Sequence, residues 1–439
     1  MINPTLRVKQ VAIETHGCKL NQADSMDLAG QFAAGGFEVV DASQRVDVYV
    51  LNTCTVTHVA DRKARQSLRS ARRRNPDATI VVTGCYAERS SEELRGLDDV
   101  DLVVGNGAKS TLVRHLAEAF ATPPVSCATG SDSTLVILKL GRTRAMVKIQ
   151  EGCDQVCAYC IVPKVRGRER SLPLDSIVSR VAEYEAQGFK EIVLTGTQLG
   201  SYGFDLGQHN LAALLRGILQ RTGIPRLRVS SLQPQDIDDE LLELWSEPRL
   251  CPHIHMPLQS GSDHVLRRMR RRYTSSTYQA TVERIRRRIG DVAITADAIV
   301  GFPGETAMDF EQTLRLCQRV RFADLHVFPY SSRPGTSAAH FAEAVAAGEK
   351  AARSRELIDL GASHAEAFRK ALVGTTRNVL WETRRTSADG PEWSGLTDNY
   401  VRVVTPSQDE LRNIVTPAHL TMADGMVLHA RVAGRAFEG

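Results

Sequence analysis

"GCDQVCAYC", residues 152–160, places Cys153, Cys157 and Cys160 in one short run with the spacing CxxxCxxC. A structural zinc site takes four protein ligands, commonly as CxxC pairs. A cubane iron–sulfur cluster likewise takes four thiolates. Three cysteines leave one coordination position open, where a substrate or cofactor can bind. His253 and His255 are possible fourth ligands, but they fall on a different predicted strand.

The run follows a predicted strand, "AMVKIQ" (145–150). Five more strand-like runs come after it: "EIVLTG", "RLRVSS", "HIHMPL", "AITADAIVG" and "DLHVFPY", with helical stretches such as 175–188 and 305–321 between them. Six βα units predict a partial TIM-like (β/α)6 barrel, in which chemistry gathers at the C-terminal strand ends. Three more of these ends read as turns: "LTGTQLGSYG" (194–203), "PLQSGSD" (257–263) and "IVGFPGET" (299–306). They hold Gly196, Thr197, Gln259 and Gly301, which are either binding positions or ordinary turn residues.

Upstream, strand-like runs alternate with helices as in a doubly wound parallel α/β sheet. Cys18, Cys54 and Cys85 each stand just past a strand, about one βαβ step apart. Ligands of open α/β sheets bind at that edge, so three distant cysteines could converge there. The alternative is three buried, inert thiols. The segment "ATPPVSCATGSDST" (121–134) has linker composition, and Cys127 within it has no evident role. The last stretch is β-rich and predicts a small all-β barrel. The expected organisation is an N-terminal domain (1–120), a linker (121–138), the barrel domain (139–371) and the tail (372–439).

The 439 residues are 42% hydrophobic and 24% charged, with a formal net charge of +4, so bulk charge says little about partners. No apolar run approaches the roughly 18 residues of a membrane helix. The first residues lack the apolar core of a signal peptide. A cytoplasmic protein is expected, with its nine cysteines reduced and the clustered ones binding metal. Arginine is concentrated in 65–76, 266–273 and 283–290. Such runs are either solvated helix faces or phosphate contacts, and Arg267, Arg268, Arg270, Arg271 and Arg272 are candidates for the latter.

CxxxCxxC after a first barrel strand, with Tyr159 before the last cysteine, resembles the radical S-adenosylmethionine (SAM) superfamily. The resemblance implies a [4Fe–4S] cluster on Cys153, Cys157 and Cys160 whose open iron chelates SAM. Reductive cleavage of SAM then yields a 5′-deoxyadenosyl radical. Tyr159, Gly196, Thr197, Gln259 and Gly301 would be the cofactor contacts. Cysteines at strand ends in front of the barrel, with the tail "GLTDNYVRV" (395–403), resemble the methylthiotransferase family and its RNA-binding TRAM domain. "THGCKLNQ", "NTCTVT", "VTGCYAE", "KIQEGC" and "HVFPYS" look most like the branch acting on threonylcarbamoyladenosine at position 37, in the anticodon loop of tRNA. The branch acting on isopentenyladenosine typically has Tyr-Gly-Cys-Gln near the start, and a ribosomal-protein branch shares the architecture.

By this resemblance Cys18, Cys54 and Cys85 hold a second [4Fe–4S] cluster. SAM serves both as methyl donor and as radical source, and an external electron donor and a sulfur source are needed. Cys251 and Cys317 match no motif and are expected to pack. Two rivals stand beside this reading. A non-enzymatic metal-binding RNA module does not account for six βα units. A cobalamin-binding radical enzyme does not account for three cysteines at the N-terminal strand ends.

Overall fold

The computed structural model describes residues 8–120, 122, 142–207, 209–387 and 390–433. Apart from Thr122, the expected linker and Cys127 lie outside the described residues.

Strands β1 (Gln10–Thr15), β2 (Glu38–Val40), β3 (Val48–Thr53), β4 (Thr79–Gly84) and β5 (Leu102–Val104) form a parallel sheet in the order β2-β1-β3-β4-β5. The central strand β3, "VYVLNT", is buried throughout, as a strand covered on both faces requires. β2 has only three residues, too few to show a hydrophobic period, and the sequence pattern passes over it. The strand order reverses between β1 and β3, which makes their C-terminal ends the natural binding crevice of this topology.

Helix α1 (Lys19–Ala34) follows β1 and is buried on two sides. Leu28 and Phe32 enter the core beneath the sheet. Ala23, Met26 and Ala29 enter the core of the next domain. The N-terminal unit is therefore welded to the barrel by a shared helix.

That barrel contains β6 (Arg144–Lys148), β9 (Glu191–Thr195), β10 (Arg226–Val229), β11 (His253–His255), β12 (Ala293–Val300) and β13 (Asp324–Pro329); β7 (Gln150–Glu151) and β8 (Arg170–Ser171) form a small antiparallel ladder beside it. The runs β10-β9-β6 and β11-β12-β13 are parallel, joined by bridges at Leu227–Leu250 and Ser231–His255. Among the described residues no ladder pairs β13 with β6, so the barrel is open, and α1 packs on its β6 edge. All six barrel strands coincide with runs read from the sequence.

A 26-residue helix, Ala347–Leu372, leads to the tail. Strands β14 (Thr376–Ser387), β15 (Gly390–Thr397), β16 (Arg402–Pro406), β17 (Val415–Asp424) and β18 (Val427–Val432) close into a barrel in the order β14-β15-β16-β18-β17. The tail seals the N-terminal end of the larger barrel. Arg226 donates to the carbonyls of Leu396 (3.0 Å) and Thr397 (2.7 Å). Arg144 pairs with Glu382 at 2.8 Å. The Tyr400 ring stacks on His253 at 4.5 Å, with the Arg228 guanidinium 4.7 Å from its centre. Glu191, fully buried, holds Arg226 and Arg228 at 2.8 Å each. Among the described residues no helix is long and apolar enough to cross a membrane.

Candidate active site

Cys18 is the N-cap of α1, Cys54 follows β3, and Cys85 opens a short helix, Cys85–Arg89, after β4. Strand order brings the three turns together at one sheet edge. Buried amides lock the turns to each other. The Cys18 thiol donates to Asn21 Oδ1 at 3.1 Å. The Asn21 amide donates to Asn52 Oδ1 (3.1 Å) and to the Thr53 carbonyl (3.0 Å). Asn52 in turn donates to the Asn21 carbonyl and to Ser25 Oγ. Gly84 has φ of +95°, and a Cβ there would stand 2.4 Å from the Thr53 carbonyl oxygen. The turn carrying Cys85 can lie this close to the one carrying Cys54 only because residue 84 is glycine.

The second set sits on the loop between β7 and β8, whose pairing pins both ends of the excursion. Two backbone bonds anchor its middle. Ala158 donates to the Met269 carbonyl (3.0 Å), and Ala338 donates to the Ala158 carbonyl (2.8 Å). The Arg271 guanidinium donates to Cys157 Sγ at 3.4 Å and lies 4.9 Å from the Tyr273 ring. Arg268 is engaged with Glu343 and the Pro303 carbonyl. Arg271 is therefore corrected from a phosphate candidate to a structural group, because the fold turns it inward, while Arg268 stays partly exposed in a surface ion pair. Arg267, Arg270 and Arg272 remain exposed.

Burial pushes Cys54 up to about 12, and its neighbours Cys18 and Cys85 add to the effect. Burial pushes Cys160 up to about 12 as well, reinforced by Cys157 and Cys153. Such thiols become thiolates when a bound metal centre supplies positive charge. Each set offers three soft sulfur donors, the complement of an iron–sulfur cluster with one iron left open.

Both sets face one cavity of about 500 Å³. Cys18 and Cys54 line it from the N-terminal sheet, and Tyr159 and Cys160 from the barrel loop. The wall between the sets is thin, since Ile161, one residue past Cys160, packs on the buried Cys85. The rest of the lining includes Val56, Gln259, Ile299 and Phe328. Of the expected cofactor contacts, Tyr159 and Gln259 reach this cavity, and Gly196 lines an adjoining one. Thr197 and Gly301 line neither. The Thr197 N–H is taken by Gln150 Oε1 at 2.9 Å, and the Gly301 N–H by Glu305. Cys251 and Cys317 are buried away from the site, as expected of packing residues.

Sequence reading missed the charged belt that joins the two sets. Arg166, buried, pairs with Asp24 (3.0 Å) and Glu151 (3.1 Å). Asp24 also holds Lys109 (2.7 Å) and Lys148 (2.9 Å). The cations hold Asp24 well below the ordinary carboxylate range despite its burial. The positive field of Arg166 also lowers the burial-raised pKa of Cys85. On the other flank Asp61 pairs with Arg333 (2.7 Å) and Arg89 (2.9 Å), tying the Cys54 turn to the end of the barrel. Nothing in the local sequence marks these residues, because their partners lie far along the chain, in three of the six pairs in another domain.

Comparison with known proteins bears on this geometry. Residues 10–105 match the family described as "Uncharacterized protein family UPF0004", and residues 147–317 match the radical SAM superfamily. The threonylcarbamoyladenosine tRNA methylthiotransferase MtaB of Bacillus subtilis (strain 168) is 36% identical over 91% of this chain and 91% of its own length. The protein of that name from Aquifex aeolicus (strain VF5) is 38% identical over 92% of this chain and 99% of its own. The chain belongs to the radical SAM methylthiotransferase family. Membership in this family implies SAM and a [4Fe–4S] cluster as cofactors. Another relative, the tRNA-2-methylthio-N(6)-dimethylallyladenosine synthase of Carboxydothermus hydrogenoformans (strain Z-2901), is 34% identical over 96% of this chain and 98% of its own. Among solved structures, the radical SAM methyltransferase TsrM from Kitasatospora setae superposes with a TM-score of 0.53 at 18% identity. That match covers 73% of this methylthiotransferase and 72% of TsrM, and it shows a shared fold.

Proposed function

We propose that this methylthiotransferase acts on N6-threonylcarbamoyladenosine at position 37 of tRNA, replacing the C2 hydrogen by a methylthio group. The observation that carries the reading is the single cavity bordered by both cysteine sets. A reaction that breaks C2–H with a SAM-derived radical and forms C2–S needs its two chemistries on either side of one base. The MtaB relatives, similar over nearly the whole chain, support this choice of substrate.

In this reading Cys153, Cys157 and Cys160 hold the cluster that chelates SAM, and Cys18, Cys54 and Cys85 hold a second one. When bound, the first supplies the electron that cleaves SAM and the second carries the sulfur. The chain's own part is positioning and exclusion of water. Asn21 and Asn52 keep the Cys18 and Cys54 turns in register. Arg271 puts a positive charge on Cys157. Val56, Ile161, Ile299 and Phe328 make a dry wall against a radical intermediate. Tyr159 and Gln259 face the space where SAM and the base would meet. The base must leave its stack to enter, as in other enzymes that work on a base, and a loop nucleotide is the easiest to extrude. Exposed Arg267, Arg270 and Arg272, with the β-barrel tail, would grip the flanking phosphates. The electron donor and the sulfur source come from outside the chain.

The test is anaerobic turnover with reductant, SAM and tRNA, reading 5′-deoxyadenosine and the modified nucleoside together. Cys157→Ala should abolish deoxyadenosine. Cys54→Ala should still produce it, with no methylthio product, and each variant should keep roughly half of the iron. Methylthio transfer by Cys54→Ala would refute the two-cluster assignment. Methylthiolation of isopentenyladenosine in place of the threonylcarbamoyl nucleoside would reassign the substrate.

A further inference from the structure

Beside the first cavity lies a second, of about 470 Å³, and Gly17, Cys18, Asp297 and Phe328 border both. It is the lumen of the open barrel. It runs from the strand ends at Gly196 and Ser231 towards Tyr400, the tail residue that stacks on His253 at the far end. Its lining mixes apolar surface with polar side chains, Ser230, Ser231, His255, Thr295 and Lys19 among them. Open to the chemistry, it offers a substituent of the base a cation and hydroxyl groups beside its apolar contacts. It suits one that carries hydrogen-bonding groups and charge.

The charges in and around this chamber are almost all matched. Asp297 is held by His255 and His326, each at 3.2 Å, and Asp324 by His326 at 3.4 Å. Arg226 and Arg228 are matched by Glu191, and Arg144 by Glu382. Lys19 is the exception. Half-buried, it lies 5.6 Å from the Tyr400 ring, and among the described residues its ammonium has no hydrogen-bond or ion-pair partner. It is the first residue of α1, whose opening N–H groups have no intrahelical acceptor and whose N-cap Cys18 supplies no side-chain bond to them. The Ser230 and Ser231 hydroxyls, on the facing strand end, likewise make no side-chain bond among the described residues.

We propose that Lys19 is the specificity residue that binds the carboxylate of the threonylcarbamoyl group, with Ser230 and Ser231 taking its hydroxyl and carbonyl oxygens. This rests on the substrate reading above and adds which atoms of the substituent are read, and where. With the substituent in the lumen, the base lies at the junction of the two cavities, beside Cys18. A half-buried ammonium bonded to a carboxylate is a charge-assisted contact, lost when the acid is neutralised.

The test is binding and turnover of an anticodon stem-loop RNA carrying N6-threonylcarbamoyladenosine, against the same RNA with the threonyl carboxylate as its methyl ester. The wild-type protein should prefer the acid by about 10- to 100-fold in Kd. Lys19→Met should bind both RNAs as the wild type binds the ester, and Lys19→Arg should keep most of the preference. Iron content and melting temperature show whether each variant is folded and loaded. If Lys19→Met does not fold, Ser231→Asp sets a carboxylate in the chamber with Lys19 and should erase the same preference. Retention of the acid preference by Lys19→Met, or by Ser231→Asp, overturns the proposal. A wild-type enzyme that methylthiolates both RNAs equally overturns it too, while leaving the substrate reading intact. A wild-type enzyme that leaves the acid RNA unmodified overturns the substrate reading and this inference together.

Discussion

Replacing Gly84 by alanine adds one methyl group between the turns that carry Cys54 and Cys85. The new Cβ would stand 2.4 Å from the Thr53 carbonyl oxygen and 2.6 Å from both the Thr53 nitrogen and Asn52 Oδ1. None of these atoms can swing away. Thr53 is backbone in the buried centre of the sheet, paired in register with Gly84 itself, and the Asn52 side chain is held by Asn21. With ψ of −164°, a φ of +95° lies in a region essentially restricted to glycine, and another residue there costs about 1–3 kcal/mol. Overpacking a tight core adds about 1–3 kcal/mol. Taking about 3 kcal/mol in total, and an m-value of about 2 kcal/mol/M, the urea midpoint of the N-terminal unit should fall by about 1.5 M. The two cysteine turns should also part, so iron bound after anaerobic reconstitution should fall by roughly half. The assay is urea unfolding followed by circular dichroism, with iron measured on the same preparations. Gly96→Ala is the control, because its Cβ would meet nothing closer than 3.6 Å at an ordinary φ of −80°. A Gly84→Ala protein with the wild-type midpoint and full iron would refute the argument that this glycine sets the spacing of the two turns.

Two further outcomes are expected. Glu191→Gln leaves Arg226 and Arg228 buried without their counter-charge, which should cost about 3–5 kcal/mol. Because Arg226 also holds the tail, limited proteolysis near residues 372–375 should accelerate, and an unchanged cleavage rate would count against the tail as a seal of the barrel. His326 is raised to about 10 by hydrogen bonds to Asp297 and Asp324, against an unfolded value near 6.5. Its contribution is complete below about pH 6.5 and is lost as pH rises through about 10, so stability should decline over that window. The effect should be modest, since the ring is half-exposed and solvent screens it. Melting temperature against pH for the wild type and His326→Gln checks this: the variant should show the flatter slope, and parallel curves would refute the assignment.

The sequence by itself determined most of what repeats along the chain. Alternating β and α patterns marked all six barrel strands, and CxxxCxxC declared its open ligand position, because all three thiols lie within one loop. Strand ends marked Cys18, Cys54 and Cys85 singly. Their meeting depends on the order β2-β1-β3-β4-β5, a set of non-local pairings that no local period encodes. In the tail, Pro391 and Gly395 interrupt the alternation of β15, and the sequence pattern passes over that strand. Charged residues were the least legible. Arg271 stands in a run of arginines that looks like a phosphate grip, yet the fold turns it onto Cys157. Asp24 and Lys19 share one helix, and their roles differ completely. Docking of α1 between two domains surrounds Asp24 with Lys109, Lys148 and Arg166, while Lys19 is left without an anion. A hydrophobic period belongs to the backbone and survives in any local window. The partner of a charge belongs to whichever surface packs against it, and for Asp24 and Asp61 part of that surface came from another domain.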